Sequence, residues 1–89
     1  MSVYVDPCRP CLSTKGWRYR ESCHLVADSE EELHLFSKAL GLKRGWFQDS
    51  SIPHYDLTRK KREAAVKLGA REVSSRWLME WRRIHGHTA

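Results

Sequence analysis

The residues whose types could do chemistry are acids and imidazoles spread along the chain. Asp6 follows the apolar run Val3-Tyr4-Val5, Asp28 follows His24-Leu25-Val26-Ala27, and His54-Tyr55-Asp56 lies in a polar stretch between two helical patterns. If the first two runs are parallel neighbouring strands, the carboxylates of Asp6 and Asp28 meet at one sheet edge, where open α/β sheets place their ligands. The segment carrying His54 and Asp56 can reach that edge. Oxygen and imidazole donors of this kind suit a divalent metal ion such as Mg, Mn or Zn. On this reading Asp6, Asp28, His54 and Asp56 hold the ion, with His54 as ligand or general base for phosphoester hydrolysis. The plainer alternative makes Asp28 and Asp56 helix caps, with His54 and Tyr55 anchoring a loop.

A second group is cationic. Arg59-Lys60-Lys61-Arg62 falls in the first turn of the second predicted helix, where cations oppose the helix dipole and an anion is favoured. Thr58, Lys61 and Arg62, with Tyr55 nearby, would then receive a phosphate of a nucleotide or nucleic acid, unless the run is simply a solvated face. Cys8 and Cys11 have C-x-x-C spacing, with Cys23 and His24 downstream as further zinc candidates. Adjacent strand residues point to opposite faces, so Cys23 and His24 do not easily share one ion. An odd cysteine count argues against a closed disulfide framework and for reduced thiols. Trp17, Trp46, Phe47, Trp77 and Trp81 could stack on bases but fit a core better, and an exposed aromatic at Trp46 could anchor a host protein.

The elements that must position these groups are readable in outline. Ser2 to Asp6 predicts a strand, and Pro7 to Arg20 has no sustained period and predicts a loop. His24 to Ala27 predicts a buried strand running into a helix from Ser29, whose spacing to Glu32 is that of a capping box; Leu33, Phe36 and Leu40 form its apolar stripe and Gly41 its end. Leu42 to Leu57 reads as a long connecting loop, of the length that often carries function. Thr58 caps a second helix ending at Gly69, Arg71-Glu72-Val73 is a short strand, and Ser74 or Ser75 caps a final helix bearing Trp77, Leu78, Trp81 and Ile84. The expected fold is α/β, a small three-stranded sheet with at least one parallel pair, between the second and third strands, covered by about three helices. Residues 1–22 form a strand plus irregular loop, and 85–89 a frayed tail.

With 89 residues the chain makes one small domain with a thin core. Sixteen Lys and Arg against eleven Asp and Glu leave a net charge of +5, which favours anionic partners. The excess is lopsided, since residues 46–89 hold nine basic and five acidic residues. No apolar run is long enough for a membrane helix, and no charged leader precedes Val3, so a cytoplasmic protein without a membrane partner is expected.

Several stretches together resemble a small bacterial and phage family, the domain of unknown function 4031. They are Val3-Tyr4-Val5-Asp6, Cys23 to Asp28, Glu32-Leu33-His34, Trp46-Phe47-Gln48, Pro53 to Asp56, Lys61-Arg62 and Gly69-Ala70. The resemblance spans nearly the whole chain and implies that His24, His34, His54 and Asp56 belong to a family pattern, which adds His24 to the ligand-binding candidates. It implies a phage or prophage origin and no particular activity. The Cys8 and Cys11 pair falls outside the pattern. The leading expectation is a non-enzymatic accessory module binding nucleotide or nucleic acid at a His/Asp/Lys/Arg cleft. A metal-dependent phosphoesterase or nuclease and a module acting on a host protein are the alternatives.

Overall fold

The structure, a computed structural model, describes residues 2–13, 17–49 and 52–85. Ser50 and Ser51 of the expected connecting loop, and the tail beyond residue 85, lie outside the described residues. Six strands and three helices follow in the order β1 (Val3–Val5), β2 (Arg9–Pro10), β3 (Glu21–Ala27), α1 (Glu30–Ala39), β4 (Gln48–Asp49), β5 (Pro53–Leu57), α2 (Arg59–Lys67), β6 (Arg71–Glu72) and α3 (Ser75–His85), with a 3-10 turn at Arg44–Trp46. The strands make one mixed sheet in the order β4-β5-β3-β1-β6, and β2 also pairs with β3. The fold is α/β as expected, with a larger sheet than three strands.

The local signals hold. Ser29 accepts from the Glu32 backbone N–H at 3.1 Å, Thr58 from that of Lys61 at 3.1 Å, and Ser74 from that of Trp77 at 3.0 Å. Gly41 and Gly69 end α1 and α2 with φ of 83° and 111°, a region open to glycine and strained for other residues.

Two long-range expectations need correction. β1 and β3 are antiparallel, with Val3 opposite Ala27 and Val5 opposite Leu25, and the parallel partner of β6 is β1 rather than β3. The stretch expected as a loop up to Leu57 contains the β4-β5 hairpin, and β5 lies against β3 with Asp56 opposite His24 and Tyr55 opposite Leu25. The reason is a short period-two pattern. Tyr55 and Leu57 are buried, and the residues between them point the other way.

That alternation divides the molecule into two faces. Val3, Val5, Cys23, Leu25, Tyr55 and Leu57 pack on one side beneath Leu33 and Leu40 of α1 and Ala65 of α2. Tyr4, Val26 and Ile52 pack on the other side beneath Trp81 and Leu78 of α3. The residues between them in the strands, Asp6, His24, His54 and Asp56, share this second face by parity.

The cysteines also depart from expectation. Pairing of β2 with β3 is displaced by one residue relative to β1 with β3, a bulge that sets Cys8 across from Cys23. Their Cα atoms are 4.4 Å apart and the pair forms a disulfide, which removes both from a zinc site. Cys11 is the free thiol, its Sγ 3.7 Å from the Tyr19 carbonyl oxygen.

Two tryptophans of α3 meet Tyr4 of the sheet, Trp77 with ring centroids 4.8 Å apart and Trp81 at 5.7 Å, and of the two Trp81 is the buried one. Trp81→Ala is expected to cost about 3 kcal/mol or more, as for other large-to-small core changes. Urea denaturation measures this, and a loss below about 1 kcal/mol would mean that α3 is not packed on this face.

Candidate metal centre

The centre is built on β3 and β5, whose pairing sets His24 directly beside Asp56 and leaves His54 two residues back on the same face. His24 Nε2 lies 3.9 Å from Asp56 Oδ1, and His54 Nε2 lies 3.6 Å from the same oxygen. The two rings are edge to face with centroids 5.3 Å apart. One ligand atom from each of the three residues falls within 4.8 Å of the others. Four-coordinate zinc, with bonds of about 2.0–2.2 Å, draws its donors to about 3.4 Å apart, so small side-chain rotations bring this set to bonding distance.

What makes the arrangement specific is how each ring is held from behind. Asp6, at the end of β1 and buried, accepts from the His24 backbone N–H at 2.6 Å through Oδ1 and from His24 Nδ1–H at 2.8 Å through Oδ2. His54 Nδ1–H donates to the Ile52 carbonyl at 2.8 Å. Both partners accept only, so in each neutral ring the proton is on Nδ1 and the Nε2 lone pair faces Asp56. Gln48, paired with His54 across the β4-β5 hairpin, donates through Nε2 to Asp56 Oδ2 and leaves Oδ1 for the shared point. The side chains of His54, Asp56 and His24 are 11%, 27% and 44% exposed, so the cluster is anchored on one side and open on the other.

The hydrogen bond from Asp6 holds the His24 imidazole above its ordinary pKa; burial opposes this, the charges of Asp6 and Asp56 assist, and the nearby charge of Arg82 works against it.

The remaining candidates fall elsewhere. Because β1 and β3 are antiparallel, Asp28 is four residues from His24 along β3, about 13 Å away at strand rise. There it accepts from the Ser2 backbone N–H at 2.8 Å and from the Tyr4 hydroxyl at 3.0 Å. Asp28 therefore leaves the ligand set, and Asp6 braces an imidazole where it was expected to hold the ion itself. Tyr55 points to the opposite face, buried, with its hydroxyl 2.8 Å from His34 Nδ1. His34 Nε2–H donates to Glu30 at 3.3 Å, so Nδ1 of the neutral ring accepts from Tyr55. Neither Tyr55 nor His34 reaches the cluster.

The cationic tip of α2 also lies across the sheet, and three of its side chains hold groups of this chain. Arg59 makes two 2.8 Å bonds to Glu21, Lys61 donates to the Leu40 carbonyl at 2.7 Å, and Arg62 donates to the Asp6 carbonyl at 2.7 Å and to Glu72 at 3.0 Å. Thr58 is occupied as the cap. The expected cleft shared by His54, Asp56, Thr58, Lys61 and Arg62 is therefore not formed. Arg62 instead fixes the backbone of Asp6 from below. Gln48 is a site residue that the sequence reading does not single out, although it lies within the stretches that carry the family resemblance.

Without metal, the His24 contribution to stability is fully present below the unfolded imidazole pKa and is lost as pH rises through the higher folded value. Proton-detected titration of the chelator-treated protein should show His24 retaining its proton to higher pH than an ordinary histidine, and Asp6→Asn should return it toward that value. A His24 midpoint unmoved by Asp6→Asn would contradict the assigned hydrogen bond.

No curated protein and no solved structure matches the chain. Residues 3–85 match the model of the family described as "Protein of unknown function (DUF4031)". That match covers nearly the whole chain, including every residue of the cluster and the partners that orient it, and the chain belongs to this family.

Proposed function

We propose that this protein binds one divalent transition-metal ion through His24 Nε2, His54 Nε2 and Asp56 Oδ1, and uses it in hydrolysis of a phosphate ester. The observation that carries the reading is the pair of imidazoles, each held at Nδ1 by an acceptor and each presenting Nε2 to one carboxylate oxygen. A histidine ligand orientated by a carboxylate or backbone carbonyl is the usual arrangement around a protein-bound metal. Two nitrogens and one oxygen favour Zn²⁺ or Mn²⁺ over the all-oxygen preferences of Ca²⁺ and Mg²⁺.

Three protein ligands leave positions for water and substrate, as in catalytic rather than structural zinc sites. The ion would supply an activated water near neutral pH and polarise the phosphoryl oxygen. The residues would do the rest: Asp6 and the Ile52 carbonyl fix the rings, and Gln48 fixes the carboxylate. The accessory-module reading that relied on Thr58, Lys61 and Arg62 loses ground because those groups are on the other face.

Calorimetric titration of chelator-treated protein, in a Cys11→Ser background that removes the free thiol, tests the reading. One Zn²⁺ or Mn²⁺ per chain is expected, with His24→Ala, His54→Ala and Asp56→Asn each abolishing tight binding and Asp6→Asn weakening it about 10- to 100-fold. Hydrolysis of bis(p-nitrophenyl) phosphate should require the ion and stop on adding chelator. Metal affinity unaltered in His54→Ala would overturn the assignment.

A further inference from the structure

We propose that the Cys8–Cys23 bond is a thiol-exchange site. A low-molecular-weight thiol enters the cavity beside it, takes Cys8 into a mixed disulfide and frees Cys23, and this lowers the metal affinity of the centre on the opposite face. The coupling rests on the metal-binding reading above; the exchange step does not.

The two sulfurs differ in access. Pro7, Cys8, Arg59, Arg62 and Glu63 line a surface cavity of about 230 Å³, where Cys8 is half-buried, whereas Cys23 is fully buried in the core. Arg59 is engaged with Glu21, and Arg62 with Glu72 and the Asp6 carbonyl, so these walls are held in place. An attacking thiolate must reach the sulfur it bonds, so attack falls on Cys8 and Cys23 is the leaving group. The incoming sulfur bonds Cys8 Sγ as the bond to Cys23 breaks, and Cys23 leaves as a thiolate that takes a proton from water. A second thiol then displaces Cys8, so that two small thiols are oxidised to one small disulfide and the protein gains two free cysteines.

The same cavity backs the clamp that orients His24. Cys8 follows Asp6 by two residues, and Cys23 directly precedes His24. Arg62, in the cavity wall, donates to the Asp6 carbonyl at 2.7 Å, while the Asp6 carboxylate holds the His24 ring at 2.8 Å. The bond closes a loop with a sequence separation of 15, and opening it returns chain freedom to that loop. An adduct on Cys8 also occupies the space against Arg62. Asp6 then loses part of its aim, and the His24 ring part of its fixed direction.

The test treats the Cys11→Ser protein with reduced glutathione, alkylates free thiols at early times and locates the products by peptide mass spectrometry. Glutathione is expected on Cys8 and the alkyl group on Cys23. After removal of excess glutathione, Mn²⁺ affinity by calorimetry should fall about tenfold, the lower end of the range for loss of a group that orients a ligand. Mn²⁺ is used because a freed thiol favours zinc and would mask the loss. Reoxidation to the Cys8–Cys23 bond should restore the affinity, and Cys8→Ser in the same background should match the thiol-treated protein. Glutathione on Cys23, or on neither cysteine, would overturn the exchange site. An adduct on Cys8 with Mn²⁺ affinity unchanged would overturn the link to the metal centre while leaving that centre standing. Circular dichroism should show the adduct folded; an unfolded adduct would make the bond purely structural and overturn the proposal. Absence of Mn²⁺ binding by the untreated protein would remove the metal reading and the coupling together, with the position of the adduct still deciding the exchange step.

Discussion

The contact on which the site depends is the clamp of Asp6 on His24. One carboxylate takes both the backbone N–H and the imidazole Nδ1–H of the same residue, at 2.6 and 2.8 Å, from a buried position at the end of β1. Such a carboxylate is stable only where its charge meets donors, and hydrogen bonds to charged groups contribute about 1.5–3 kcal/mol each. The clamp ties the end of one strand to the middle of its neighbour and fixes the ring direction. Arg62 holds the Asp6 carbonyl from the far side of the sheet, and the Cys8–Cys23 disulfide ties the next residues of the chain to β3. His24 is thus fixed through its own strand, the preceding strand and a helix behind them.

Around this point the sheet does most of the positioning through its period of two. Asp56 lies opposite His24 and His54 lies along the same face because β5 runs antiparallel to β3 in that register. A slip of one residue would turn both toward α1 and α2 and take Tyr55 and Leu57 out of the core there, at the loss of their burial. The hydrophobic pattern of β5 therefore sets the metal geometry as well as the fold. Tyr55 contributes on its own side, where it joins Phe47 and His34 in a cluster of ring contacts.

How much was legible follows from range. Ser29, Thr58, Gly41 and Gly69 mark helix ends through contacts or backbone conformation within a few residues, which the sequence shows directly. His54 and Asp56 were recognisable by chemistry, yet their strand was hidden because its partner β4 is two residues long and its other partner is distant in sequence. Strand direction was not encoded locally. The connection from β1 to β3 has a bulge and is long, so the sequence alone does not show that antiparallel pairing sends Asp28 to the edge away from Asp6. The run on α2 reads as facing a ligand because the partners of Arg59, Lys61 and Arg62, which are Glu21, Leu40 and Asp6, come from other parts of the chain. Among the described residues, no helix is long and apolar enough to cross a membrane.

The most direct measurement is anomalous X-ray diffraction from crystals grown with Zn²⁺, collected on both sides of the zinc absorption edge. The account predicts one strong anomalous peak bonded to His24 Nε2, His54 Nε2 and Asp56 Oδ1 at about 2.0–2.2 Å, with Asp6 still on His24 Nδ1. A peak elsewhere, or none between these three side chains at saturating zinc, would contradict it.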